Sequence, residues 1–102
     1  MSAPVAGVFR PDMLDGRVAV VTGGGTGIGL GIATCLAAAG ATVAIASRKP
    51  EHLESAAAEL RERGARVTTV EANVREPEAV ARMVERVTEA HGRIDILVNN
   101  AA

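Results

Sequence analysis

The chain has 102 residues and a formal charge of −1, enough for one small domain and too few for a two-domain enzyme. Its hydrophobic share of 48% is dominated by 20 alanines and 13 valines, with Phe9 the single aromatic residue, so the core must form from closely approaching backbones. Basic and acidic side chains number 11 and 12, which supplies neither a basic footprint nor an aromatic platform for nucleic acid.

Residues 1–16 read as an irregular arm, with Pro4, Gly7, Pro11 and the turn signal of Asp15 and Gly16. From 17 to 102 the pattern alternates. A strand is predicted over 17–22, followed by a glycine-rich turn and a helix over 28–39 of small and apolar residues that Gly40 closes. A second strand covers 42–46. The next helix starts at Pro50, repeats Leu53, Ala57 and Leu60 at helical spacing, and stops before Gly64. The third strand, 66–71, is more polar and reads as a sheet edge. A helix then runs from Pro77 to Gly92 with Val80, Val84, Val87 and Ala90 along one face, and a last strand covers 94–98. Glu59, Arg63, Arg82, Glu85 and Arg86 fall on outward faces as solvated charges.

Strands that alternate with crossover helices predict an α/β fold with a parallel sheet, βαβαβαβ, in strand order 3-2-1-4. The last strand would leave Ile94, Ile96 and Val98 on an open edge, a setting for self-association.

The chemistry sits in the turn after the first strand, Thr22-Gly23-Gly24-Gly25-Thr26-Gly27-Ile28-Gly29. A helix N-terminus offers unpaired N–H groups and about half a positive charge, so a pyrophosphate can rest there without a basic side chain. Gly23 suits the positive φ of the tight turn, and Gly27 and Gly29 remove Cβ atoms that would hold phosphate and sheet apart. The strand before, the helix after, and a second strand ending about 20 residues later point to dinucleotide binding in a doubly wound, Rossmann-type unit, against a purely structural turn. A nucleoside triphosphatase loop is excluded because its lysine is missing; Lys49 is the only lysine.

Gly23-x-x-x-Gly27-x-Gly29 together with Asn99-Asn100-Ala101 after the fourth strand resembles the short-chain dehydrogenase/reductase family. The resemblance runs from 15 to 102 and corresponds to the N-terminal, NAD(P)-binding half of a usual member. Ile45-Ala46-Ser47-Arg48-Lys49, Asn73-Val74-Arg75 and Asn99-Asn100-Ala101-Ala102 are similar to the enoyl-CoA and 2,4-dienoyl-CoA reductase branch.

An acid at the end of the second strand would accept the ribose hydroxyls and repel a 2′-phosphate. This chain has Ser47, Arg48 and Lys49 there, a hydroxyl, a forked guanidinium and an ammonium suited to that phosphate. NADP is therefore the expected cofactor, with a plain surface pair as the alternative for Arg48 and Lys49. The resemblance implies adenine contact by Asn73 and Val74, where the family commonly has Asp in place of Asn73; an ordinary turn role for Asn73 stays open. It also implies ribose contact by Asn100, Ala101 and Ala102, with Ala102 replacing the family's usual Gly.

The family's catalytic Tyr-x-x-x-Lys has no counterpart, because the chain has no tyrosine. No catalytic residue is assigned, and the isolated chain is expected to be inactive. Two functions follow: the cofactor-binding half of an oxidoreductase that passes hydride from NADPH to a carbonyl or an acyl-CoA double bond, or a non-catalytic nucleotide-binding or interaction module. A methyltransferase would need an acid where Ser47 stands.

Cys35, the single cysteine, excludes an internal disulfide and reads as an inert buried thiol. His52 and His91 have no second ligand at metal spacing and read as surface residues, so no metal is expected. No apolar run reaches the length of about 18 residues that spans a membrane, and residues 1–16 lack the marks of a signal or transit peptide. A cytoplasmic protein without membrane attachment is predicted.

Overall fold

The first strand, β1 (Val18–Thr22), is buried along its whole length, as an apolar strand covered on both faces must be. Its side chains alternate between two cores in the computed structural model, which describes residues 12–23, 25 and 27–100. Val18 and Val20 join one core cluster, and Ala19 and Val21 join the other. β1 pairs in parallel with β2 (Thr42–Ser47) on one side and β4 (Ile96–Asn99) on the other, and β2 pairs with β3 (Val67–Glu71). The order is β3-β2-β1-β4, as the alternation of elements predicts.

Helices α1 (Gly27–Ala38) and α2 (Pro50–Glu62) cover one face, and α3 (Pro77–His91) covers the other. α1 carries almost no large buried residue; Gly29 and Ala33 face the sheet and let the helix approach closely. α2 begins at Pro50, which needs no N–H partner in a first turn, and buries Leu53, Ala56, Ala57 and Leu60. α3 is capped by Gly92, which donates its N–H to the Thr88 carbonyl at 2.7 Å and turns the chain out of the helix with φ 80°. The two crossovers after β1 step one way across the sheet and the third steps back past β1. That reversal opens a crevice at the carboxyl ends of β1 and β4, where such sheets receive ligands.

Of the N-terminal arm, residues 12–16 form turns. The Leu14 N–H donates to the Ala39 carbonyl at 2.7 Å, and Leu14 packs on the core beneath α1 and α2. The other positions of the arm lie outside the described residues.

Several expectations need correction. The last strand begins at Ile96 instead of residue 94, because Asp95 is taken up by β1: its carboxylate accepts from the Val18 N–H at 2.8 Å and its own N–H donates to the Val18 carbonyl at 2.8 Å. Arg93 and Arg17 flank that carboxylate at 2.7 and 3.4 Å. Ile94, Ile96 and Val98 consequently pack against the cores, and Leu97, 63% exposed, is the apolar residue left on the open edge. In α3 the buried stripe is Ala79, Met83 and Val87, leaving Val84 exposed. His91 is half-buried, with Nε2 2.7 Å from Thr68 Oγ1. The outward positions of Glu59, Arg63, Arg82, Glu85 and Arg86 are as expected, whereas Cys35 is half-buried instead of buried and His52 half-buried instead of exposed.

Candidate site at the glycine turn

The turn after β1 puts its glycines to different uses. Gly23 takes φ 68° and donates its N–H to the Ala46 carbonyl at 2.8 Å, joining the turn to the end of β2. Gly25 lies against α2, where a Cβ would come within 2.9 Å of His52 Cβ. Gly27 has φ 56° and open space where its Cβ would be, at the very start of α1. Gly29 is enclosed: a Cβ there would collide with the Gly23 carbonyl oxygen and approach Asn100 Nδ2 to 2.8 Å. Gly29 therefore serves the contact of helix with strand end, while Gly27 leaves the N-terminus of α1 accessible. Ile28 is 76% exposed beside it.

Thr22 ties this turn to the end of β4. Its buried hydroxyl accepts from the Asn100 N–H at 3.0 Å and lies 3.2 Å from the Val98 carbonyl and 3.1 Å from Asn99 Oδ1, either of which takes its proton. Asn100 is thereby held at the crevice beside Gly29. Gly24, Thr26, Ala101 and Ala102 lie outside the described residues.

A second concavity, about 180 Å³, opens at the ends of β2 and β3. Gly23, Ser47, Arg48, Lys49, Asn73 and Val74, all singled out in the sequence, line it together, joined by His52 and Arg75. Among the described residues no carboxylate lines this space, whereas Arg48, Lys49 and Arg75 do. The Ser47 hydroxyl accepts from the Lys49 N–H at 3.2 Å, shaping the turn that projects Arg48 and Lys49 into solvent. Neither Arg48 nor Lys49 has a side-chain partner among the described residues. Asn73 performs the turn role: Oδ1 accepts from the Arg75 N–H at 3.1 Å and Nδ2 donates to Glu76 Oε1 at 3.4 Å. Its carbonyl oxygen keeps a second lone pair for a ligand.

Sequence reasoning missed Thr22 as a clamp and the place of His52 and Arg75 at this concavity. Thr22 carried a weak signal, a hydroxyl in an otherwise apolar strand; His52 carried none, since its nearness to Gly25 is purely tertiary. The residues present suit a phosphate-bearing ligand: an open helix N-terminus at Gly27 and a concavity at which Arg48 and Lys49 have no side-chain partner among the described residues. Among the described residues no group of three His, Cys, Asp or Glu could hold a metal, and no helix is long and apolar enough to cross a membrane.

Comparison with known proteins agrees with this architecture. A peroxisomal 2,4-dienoyl-CoA reductase of Arabidopsis thaliana is 42% identical over 94 residues, covering 92% of this chain and 32% of that protein. The solved structure of L-sorbose reductase from Gluconobacter frateurii, complexed with NADPH and L-sorbose, superposes with a TM-score of 0.86 at 42% identity, over 91% of this chain and 36% of that one. A short-chain dehydrogenase from Burkholderia cenocepacia in complex with NADP gives 0.82 at 45% identity, over 88% and 37%. The chain spans about a third of the length of the curated relatives it matches. The family model for short chain dehydrogenases matches residues 17–102, and the chain belongs to that family.

Proposed function

We propose that residues 17–102 form the NADPH-binding part of an oxidoreductase that transfers hydride to a carbonyl or an acyl-CoA double bond. The observation that carries this is the concavity where Arg48 and Lys49 stand without a side-chain partner among the described residues at the end of β2, the position at which an NAD-binding protein would present an acid to the ribose. The pyrophosphate rests on the N-terminus of α1, cradled by Gly24, Gly25, Thr26, Gly27 and Ile28, while Gly29 lets that helix approach. Ser47, Arg48 and Lys49 take the 2′-phosphate, Asn73 and Val74 the adenine, and Asn100, Ala101 and Ala102 the ribose. The nicotinamide ring supplies the hydride when bound; these residues bind and orient its adenosine half. The names of the relatives support the chemistry, one reducing a dienoyl-CoA and another crystallised with NADPH and a sugar.

A second reading is a nucleotide-binding module without catalysis. Titration of the ¹⁵N-labelled chain with NADPH, read by amide shifts and by loss of NADPH absorbance with a ketone or enoyl-CoA, tests both readings. Saturable shifts at Gly23, Gly25, Gly27 and Arg48 without turnover are expected for this chain. Absence of binding overturns both readings, and turnover by the 102-residue chain overturns its assignment as a purely cofactor-binding part. A cytoplasmic setting is supported by the lone Cys35; cell fractionation that places the protein in an organelle would refute it.

A further inference from the structure

A larger cavity of about 390 Å³ opens on the α3 side of the sheet, between β3 and α3. Its volume lies in the range of about 300–1,000 Å³ usual for small-molecule sites. Val70, Ala72, Ala79 and Met83, all buried, make an apolar wall. The rim is charged and unbalanced. Arg48, Arg82 and Arg86 stand against two acids, Glu71 and Glu76, the latter accepting from Asn73 Nδ2 at 3.4 Å, and the three arginines have no side-chain partner among the described residues. Arg82 has a partner on offer: Glu78 precedes it by one helical turn, the spacing at which Glu59 and Arg63 pair at 3.5 Å in α2. Arg82 and Arg86 make no such pair and border the cavity instead.

We propose that this cavity binds a phosphomonoester with a small apolar or aromatic body. The body lies on Val70, Ala79 and Met83. The phosphate dianion takes charge-assisted hydrogen bonds from Arg82 and Arg86, one turn apart on the same helix, with planar forks that match its oxygens. This site is separate from the glycine turn and does not depend on the cofactor assignment. It shares only Arg48, Ala72 and Asn73 with the concavity lined by Ser47 and Lys49.

Phenyl phosphate is the probe, titrated into the ¹⁵N-labelled chain. Saturating shifts of the amides of β3 and of Ala79, Arg82, Met83 and Arg86 are expected, with inorganic phosphate at least about tenfold weaker because it leaves the apolar wall uncovered. The double variant Arg82→Ala, Arg86→Ala, both at exposed positions, should bind phenyl phosphate about tenfold or more weakly with unchanged thermal unfolding. Gly27→Val, which obstructs the glycine turn, should bind it as the parent does. No saturation by about 10 mM, shifts confined to the glycine turn and Ser47 to Lys49, or undiminished affinity in the double variant would each overturn the proposal.

Discussion

Gly29→Ala adds one methyl group where α1 passes closest to the glycine turn. That methyl would collide with the Gly23 carbonyl oxygen and stand 2.7 Å from its carbon and 2.8 Å from Asn100 Nδ2. Backbone cannot swing aside as a side-chain tip does, so the turn or the first turn of α1 must move. Overpacking of this kind costs about 1–3 kcal/mol, against about 0.5–1 kcal/mol gained by replacing a helical glycine with alanine. The net expectation is a loss of about 1 kcal/mol. Gly31→Ala is the internal control, because it lies in the same helix with nothing within 4 Å of its Cβ and without positive φ; only the propensity gain applies, and it should stabilise. Urea denaturation of the parent and both variants reads the two effects directly. The variants should fall on opposite sides of the parent, and a Gly29→Ala protein as stable as Gly31→Ala would refute the close approach of α1 to Gly23.

Gly27→Val meets no neighbour within 4 Å but places a β-branched residue at φ 56°, so it should cost about 1–2 kcal/mol of stability and abolish binding of NADPH and NADH alike; retained binding in a calorimetric titration would show that the pyrophosphate does not pass Gly27. Asp95 is held below the ordinary carboxylate range, chiefly by the Arg93 hydrogen bond and then by the Val18 N–H, with burial opposing and Arg17 adding less. A lowered folded pKa gives stability that is complete above the unfolded value, about 3.9, and is lost as pH falls through the folded value. Asp95→Asn should therefore lower the melting temperature at neutral pH, with a gap to the parent that closes in acid; a gap independent of pH would contradict this. Leu97→Lys charges the open edge of β4 without touching the core, and should reduce self-association of the chain in light scattering at tens of micromolar; a monomeric parent would show that the edge is protected.

The order of the sheet was legible because four apolar segments alternate with three helical ones, and glycines at 40, 64 and 92 mark the helix ends with positive φ. Element phase was less legible. α3 has apolar residues at 79, 80, 83, 84 and 87, two overlapping stripes of helical spacing, and the crossing over the sheet selects Ala79, Met83 and Val87. The start of β4 was hidden for a similar reason: Ile94 to Val98 reads as one run until Asp95 is seen to bond Val18 across the sheet. At the site, spacing singled out the glycine turn and Ser47, Arg48 and Lys49 as candidates, and the structure brings Gly23, Ser47, Arg48 and Lys49 to one concavity. The approach of His52 to Gly25 and of Arg75 to the same concavity was not, because tertiary packing alone creates it.

The proposed selection of a 2′-phosphate by Arg48 at the end of β2 is tested by calorimetric titration of the parent and Arg48→Asp with NADPH and NADH. A charge-assisted contact worth about 1.5–3 kcal/mol predicts that the parent prefers NADPH by about tenfold or more, and that the variant, which presents a carboxylate to the ribose and repels the phosphate, prefers NADH. An affinity ratio that is the same in both proteins would contradict the account and reduce Arg48 to a surface residue.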